Sequence, residues 1–153
     1  MSAGDPSFCV WDDEFCTVEQ AGFCVVPGYL ILRVKLPASS WADLPQDAAR
    51  AVGERLARVT SAIETVTRAE RVYCLSFGEL DRRLHFHLFP RTAAILADYW
   101  RATGTENVPV NGPAVFEWAR ATRVPGTGDP RRASEVADVC ESLRAYLSAF
   151  RPV

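Results

Sequence analysis

Residues 84–90 read LHFHLFP, with Arg83 before them and Arg91 after. Successive side chains of a β-strand point to opposite faces. The stretch therefore predicts a strand with Arg83, His85 and His87 on one face and Leu84, Phe86 and Leu88 on the other. One face closes a core; the other carries nitrogen. His85 and His87 are the only histidines in the chain, so imidazole chemistry is confined to this strand. Taken by themselves, the residues leave three readings of that front open. The first is a strand at a sheet edge with two solvated histidines. The second has HxH presenting two imidazoles to a metal ion, with a third ligand from Cys74, Glu79 or Asp81. In the third, one imidazole attacks phosphorus while its neighbour and nearby donors hold the phosphate oxygens.

Working outward, RVYCLSFG (71–78) reads as a strand antiparallel to 84–90, joined to it through the short GELDRR turn. Upstream, GFCVV (22–26) and YLILRVKLP (29–37) read as two strands of a hairpin-like unit punctuated by Pro27-Gly28. Residues 9–21 are mixed, with Trp11 and Phe15 as expected anchors, and 1–8 read as a loose leader. Between these units the period changes. Leu44, Ala48, Val52, Leu56, Val59, Ile63 and Val66 step by three or four and predict one long amphipathic helix over 42–69. Asp43 and Pro45 stand where its N-cap and first-turn proline belong, and Arg50, Glu54, Arg58 and Glu64 form its solvated face. Beyond Pro90 the chain reads as helices over 92–103, 113–122 and 129–150, the last with a stripe of Val136, Cys140, Leu143, Leu147 and Phe150. The Gly126-Thr127-Gly128 connector is no phosphate loop, since it lacks the spacing of one. The fold class expected is α+β: a mostly antiparallel sheet, one long helix across it, and extra C-terminal helices.

Composition bounds the function. With 153 residues the chain is expected to form one domain. The net charge of −2 offers no broad positive field for a nucleic-acid backbone. No apolar run approaches the roughly 20 residues of a membrane helix. The opening residues hold no basic residue and no apolar core of a signal peptide, so a cytoplasmic location is expected. The five cysteines (Cys9, Cys16, Cys24, Cys74, Cys140) contain no CxxC and fit no zinc ribbon, which leaves buried or half-buried free thiols.

LHFHLFPR resembles the signature strand of the histidine triad (HIT) superfamily, in which histidines alternate with apolar residues and Pro-Arg often follows. VVPGYLILRVKLP is similar to the family's Pro-Gly-His, apolar strand, proline passage. WADLPQDAARAVGERLARV is similar to the helix that follows it, and RVYCLSFG to the strand before the signature. The resemblance covers roughly residues 22–91. Two family histidines are replaced: the first of the signature falls on Arg83, and the one after Pro-Gly falls on Tyr29. The family's polar Gly-Gln-Ser/Thr loop is shortened to GELDRR.

The resemblance implies a HIT-like core over about 9–91 with a C-terminal extension over 92–153, working as a homodimer. It implies a nucleotide-phosphate hydrolase or transferase acting on dinucleoside polyphosphates or nucleoside phosphoramidates, without a metal or other cofactor. His85 would be the catalytic nucleophile of a covalent nucleotidyl intermediate, and His87 and Arg83 the phosphate ligands. Tyr29 would offer a hydroxyl and Glu19 a ribose contact, while Phe15, Phe23 and Leu30 line a base pocket or belong to the core. Replacing the first histidine removes the hydrogen bonding that normally orients the nucleophile's second nitrogen. The alternative function is a nucleotide-binding or regulatory protein that kept the pocket and lost turnover.

Overall fold

In the computed structural model, which describes residues 5–150, the alternation of CTVEQ becomes strand β2 (Cys16–Gln20). Cys16 and Val18 face a core, while Thr17 and Glu19 face the other side. This strand pairs with β1 (Cys9–Asp12) and with β3 (Leu30–Val34), and β3 pairs with β5 (His85–Arg91). The sheet ends in β4 (Arg71–Leu75) and runs β1–β2–β3–β5–β4, every pairing antiparallel.

Helices α1 (Gln46–Thr67) and α4 (Arg131–Ser148) cover one face of the sheet. Val52, Val59 and Ile63 of α1, with Val136, Cys140, Leu143 and Leu147 of α4, pack on Val18, Leu30, Leu32, Phe86 and Leu88. Helices α2 (Ala93–Thr103) and α3 (Gly112–Thr122) cover part of the opposite face. There Ile95, Leu96, Tyr99, Val115, Phe116 and Ala119 meet Tyr29, Ile31 and Phe89. The two faces carry separate cores. No helix among the described residues is long and apolar enough to cross a membrane.

Several expectations are corrected. Residues 22–26 are not a strand. Cys24 and Val26 bury their side chains in the α3-side core, and the segment is held on the end of that helix by Val25 N–H to Arg123 O at 2.7 Å and Cys24 Sγ to Ala119 O at 3.7 Å. The mixed stretch 9–21 instead forms a hairpin. Its turn is closed by Asp13 Oδ1, which accepts from the N–H groups of Phe15 and Cys16 at 2.9 Å each. Asp13 Oδ2 accepts from Arg55 Nε at 2.7 Å, and the Arg55 guanidinium lies 4.8 Å from the Phe15 ring centroid. Arg55 is thereby buried on the inner side of α1, while Leu56 of the expected stripe is only half-buried.

Asp43 does not cap α1. Its carboxylate accepts from Ser39 and Ser40 and closes a short 3-10 turn over Trp41–Asp43, and Pro45 is the N-cap of the helix. Of the expected leader, Asp5 caps a 3-10 turn over Pro6–Phe8. Arg144 of α4 ties that turn down, donating to Ser7 O at 2.6 Å and Cys9 O at 3.1 Å; residues 1–4 lie outside the described residues. All five cysteines are free, but Cys74 is exposed rather than buried, and Phe150 at the end of the α4 stripe is exposed too.

Candidate functional site

β5 sets the register of the site. Its apolar residues Phe86 and Leu88 enter the α1/α4 core, so His85 and His87 face the α2/α3 side. In the sheet His85 stands opposite Arg33, and His87 stands between Ile31 and Leu75, with Glu19 one strand further on. Thr17, Glu19, Ile31 and Arg33 therefore share the histidine face. The two imidazole rings lie edge to face, with centroids 5.2 Å apart.

Hydrogen-bond partners assign the tautomers. His85 Nδ1 lies 2.7 Å from the backbone carbonyl oxygen of Arg83. A carbonyl only accepts, so Nδ1 carries the proton and the neutral ring keeps its lone pair on Nε2. The second nitrogen of His85 is thus held by main chain, where the resemblance implied that this hydrogen bonding was lost with the first histidine. His87 Nδ1 lies 2.8 Å from the Tyr29 hydroxyl. Tyr29 is fully buried, and that burial raises its pKa well above the ordinary phenol value, so the hydroxyl keeps its proton. His87 Nδ1 is its one hydrogen-bond partner among the described residues, and donating there is what satisfies a buried O–H that would otherwise be orphaned. His87 then carries its own proton on Nε2. Burial, followed by the proximity of His85, Arg120 and Arg33, lowers the His87 pKa to about 4. His87 is a neutral donor at neutral pH.

Tyr29 reaches His87 because of the turn before it. The Tyr29 N–H donates to Val26 O at 3.0 Å, with Pro27 and Gly28 between them and Gly28 at φ +80°. That is a type II turn, whose third position requires glycine's left-handed freedom. A Cβ on Gly28 would also stand 2.6 Å from a Thr67 methyl. Gln20, buried at the end of β2, holds the loop from inside. Its Nε2 donates to Val26 O at 2.9 Å, and its Oε1 accepts from Gly28 N–H at 3.0 Å.

Charge is arranged beside the pair. Arg33 donates to Glu19 at 3.1 Å and to Asp81 at 3.2 Å, and Asp81 also holds the Arg83 guanidinium at 3.1 Å. Arg83 and Arg33 together hold the Asp81 carboxyl below its usual range. The Glu19 carboxylate is therefore engaged by Arg33. Arg83 serves His85 through its backbone oxygen and gives its side chain to Asp81. Phe23 is 44% exposed and sets its ring 5.7 Å from Tyr29 and 6.5 Å from His87. Phe15 and Leu30 belong to the opposite core and line nothing here. Among the described residues, no group of three or more His, Cys, Asp or Glu side chains could hold a metal ion.

Sequence reading brought Arg83, His85 and His87 to one face, named Tyr29 and Glu19 through the family resemblance and Asp81 only as a metal ligand, and missed Arg33, Phe116 and Arg120. Arg33 had a local signal, a lone charge inside the apolar run YLILRVKL. Arg120 and Phe116 had none, because α3 lies outside the stretch that carries the family resemblance. The Arg120 guanidinium sits 5.1 Å from the Phe23 ring centroid and 5.4 Å from that of Phe116, whose ring is in turn 6.5 Å from His87.

No model of a known protein family matches the chain, and no curated protein does. Solved structures do. A histidine triad protein of Bradyrhizobium japonicum superposes with a TM-score of 0.63 at 22% identity, over 90% of this chain and 88% of that one. A histidine triad protein of Marinobacter aquaeolei gives 0.64 at 15% identity, over 94% and 90%. A hypothetical histidine triad nucleotide-binding protein of Sulfolobus tokodaii gives 0.60 at 12%, over 92% and 85%. The chain has the histidine triad fold, an α+β arrangement of a five-stranded antiparallel sheet with helices on both faces.

Proposed function

We propose that this chain, built on the histidine triad fold, binds a nucleotide phosphate on the His85–His87 face and transfers the nucleotidyl group through His85. The observation that carries the reading is the pair of Nδ1 contacts, from which the two tautomers follow. His85 Nδ1 is committed to a carbonyl, which leaves Nε2 a free lone pair, and His87 beside it is a neutral N–H donor held by Tyr29. One ring supplies the electron pair; the other supplies a proton to hold a phosphate oxygen. Attack of His85 Nε2 on the α-phosphorus forms an N–P bond as the bond to the leaving phosphate, or to an amine that takes a proton from solvent as it leaves, breaks. Water then cleaves the N–P bond, releasing the nucleoside monophosphate and restoring the imidazole. Phosphoryl chemistry of this kind asks the protein for positioning and charge stabilisation more than for covalent variety, and the two oriented imidazoles offer both. The substrate class is a nucleoside phosphoramidate or dinucleoside polyphosphate, as the family resemblance implies.

A second reading, a nucleotide binder without turnover, draws on Arg83 and Tyr29 at two positions where the family has histidine, and on the shortened GELDRR loop. One set of measurements separates the two. Wild-type protein is expected to bind AMP and to hydrolyse adenosine phosphoramidate or a diadenosine polyphosphate. His85→Asn is expected to keep AMP affinity within a few-fold and to lose turnover, because an amide still hydrogen-bonds but forms no N–P bond. AMP binding by a wild-type protein that turns over no substrate leaves the binder. No AMP binding at millimolar concentration defeats both.

A further inference from the structure

The sheet brings almost no net charge of its own to an incoming phosphate. His87 is neutral. The two arginines nearest the histidines, Arg33 and Arg83, are matched by Glu19 and Asp81. Nearby, Arg91 pairs with Glu70, and Arg123 with Asp98. Of the arginines beside the histidines, Arg120 is different. No carboxylate among the described residues pairs with it, and its guanidinium is steadied by the faces of Phe23 and Phe116. Stacking on rings occupies the flat side of a guanidinium and leaves its in-plane N–H donors free for a forked contact to an oxyanion. Both rings also border His87, and the Arg120 charge is felt at His87 and at Tyr29.

We infer that Arg120 of α3 is the anion-recognition residue of the histidine face, holding the phosphate of a nucleotide ligand from the side opposite the sheet. The inference rests on the nucleotide-phosphate reading above and adds to it a residue outside the stretch that resembles the family. The site then has two walls. β5 supplies the nucleophile and the neutral donor, and α3 supplies the net positive charge. Discrimination follows from that division: a nucleoside phosphate is recognised by Arg120, and the uncharged nucleoside is not.

The test is calorimetric titration of AMP and adenosine into wild-type, Arg120→Gln and Arg120→Lys proteins at fixed salt. Loss of one charge-assisted contact is expected to weaken AMP binding about 10- to 100-fold in Arg120→Gln, with adenosine affinity unchanged. Lysine should restore part of the loss, because it keeps the charge without the fork. In the ligand-free protein, the His87 imidazole followed by NMR should titrate at higher pH in Arg120→Gln than in wild type. Unchanged AMP affinity in Arg120→Gln overturns the inference while leaving the nucleotide reading intact. Equal weakening of AMP and adenosine also overturns it, since that marks a role in packing α3. A wild-type protein that binds no AMP removes both.

Discussion

Tyr29 and His87 meet through a single hydrogen bond between a buried phenol and a half-buried imidazole. The bond does two jobs. It satisfies a hydroxyl that burial would otherwise leave costly, and it selects the His87 tautomer that offers Nε2–H. Tyr29→Phe keeps the ring in its pocket and removes only that choice. His87 is then expected to populate both tautomers in heteronuclear NMR, with AMP binding weaker by about tenfold, the equivalent of one hydrogen bond of ~1–1.5 kcal/mol. An unchanged tautomer in the variant would refute the assignment.

The lowered His87 pKa has its own consequence for stability. The unfolded chain takes up the proton near the ordinary value of about 6.5, and the folded one near 4. Between those values the unfolded state binds more protons, so stability falls as pH falls. One group contributes a slope of no more than about 1.4 kcal/mol per pH unit. Urea unfolding at pH 7 and pH 5 should show this loss in wild type and a smaller one in His87→Gln. Equal losses in the two proteins would assign the effect to other groups.

Among the secondary elements, α1 shows how far periodicity reads and where it stops. The three-four spacing of Val52, Val59 and Ile63 is visible in the sequence, and all three are fully buried. Leu56 belongs to the same stripe by count, yet it is half-buried, because the neighbouring Arg55 turns inward to meet Asp13 and Phe15. No local rule announces that pair, whose members come from different elements. Ile63→Ala should therefore cost about 2–5 kcal/mol, the range for a truncated core residue, and Leu56→Ala roughly half as much. Chemical denaturation of the two variants decides it, and equal costs would mean that Leu56 is as deeply packed as Ile63.

The misread strands teach the complementary lesson. GFCVV has the stronger β-formers, but its buried residues Cys24 and Val26 answer to the α3-side core, with Cys24 reaching Ala119 95 residues away in the chain. CTVEQ alternates correctly and pairs on both sides. Alternation was the better signal there, because it states which side chains a sheet can bury on one face.

Taken whole, the molecule does not let the C-terminal helices be an appendage. α4 closes the core under the sheet together with α1, and α2 and α3 close the core above it. A chain ending at Arg91 would lose the α4 side of one core, which packs on β1 and α1, and the α2/α3 cover over Tyr29, Ile31 and Phe89 on the other face. Such a chain is expected to show no cooperative thermal transition by circular dichroism, whereas residues 1–153 are expected to melt as a unit. A truncated protein that unfolds cooperatively would make residues 9–91 an independent core.

What the sequence by itself determined is the inventory of β5: which residues face each way, and that both imidazoles stand together. That much is local, because a strand's side-chain period is a property of the backbone and needs no partner. The histidine tautomers were not legible. His85 depends on where a carbonyl two residues away points, and His87 on a hydroxyl 58 residues away that a glycine turn delivers. Arg120 was not legible either, since a charge on a helix reads as solvated until the helix is docked. Only the packing of α3 against the open end of the sheet put that cation, with Phe23 and Phe116 beneath it, beside the histidines. Side-chain period is set within a strand, whereas tautomer and field are set by groups that only the folded chain brings within a few ångströms.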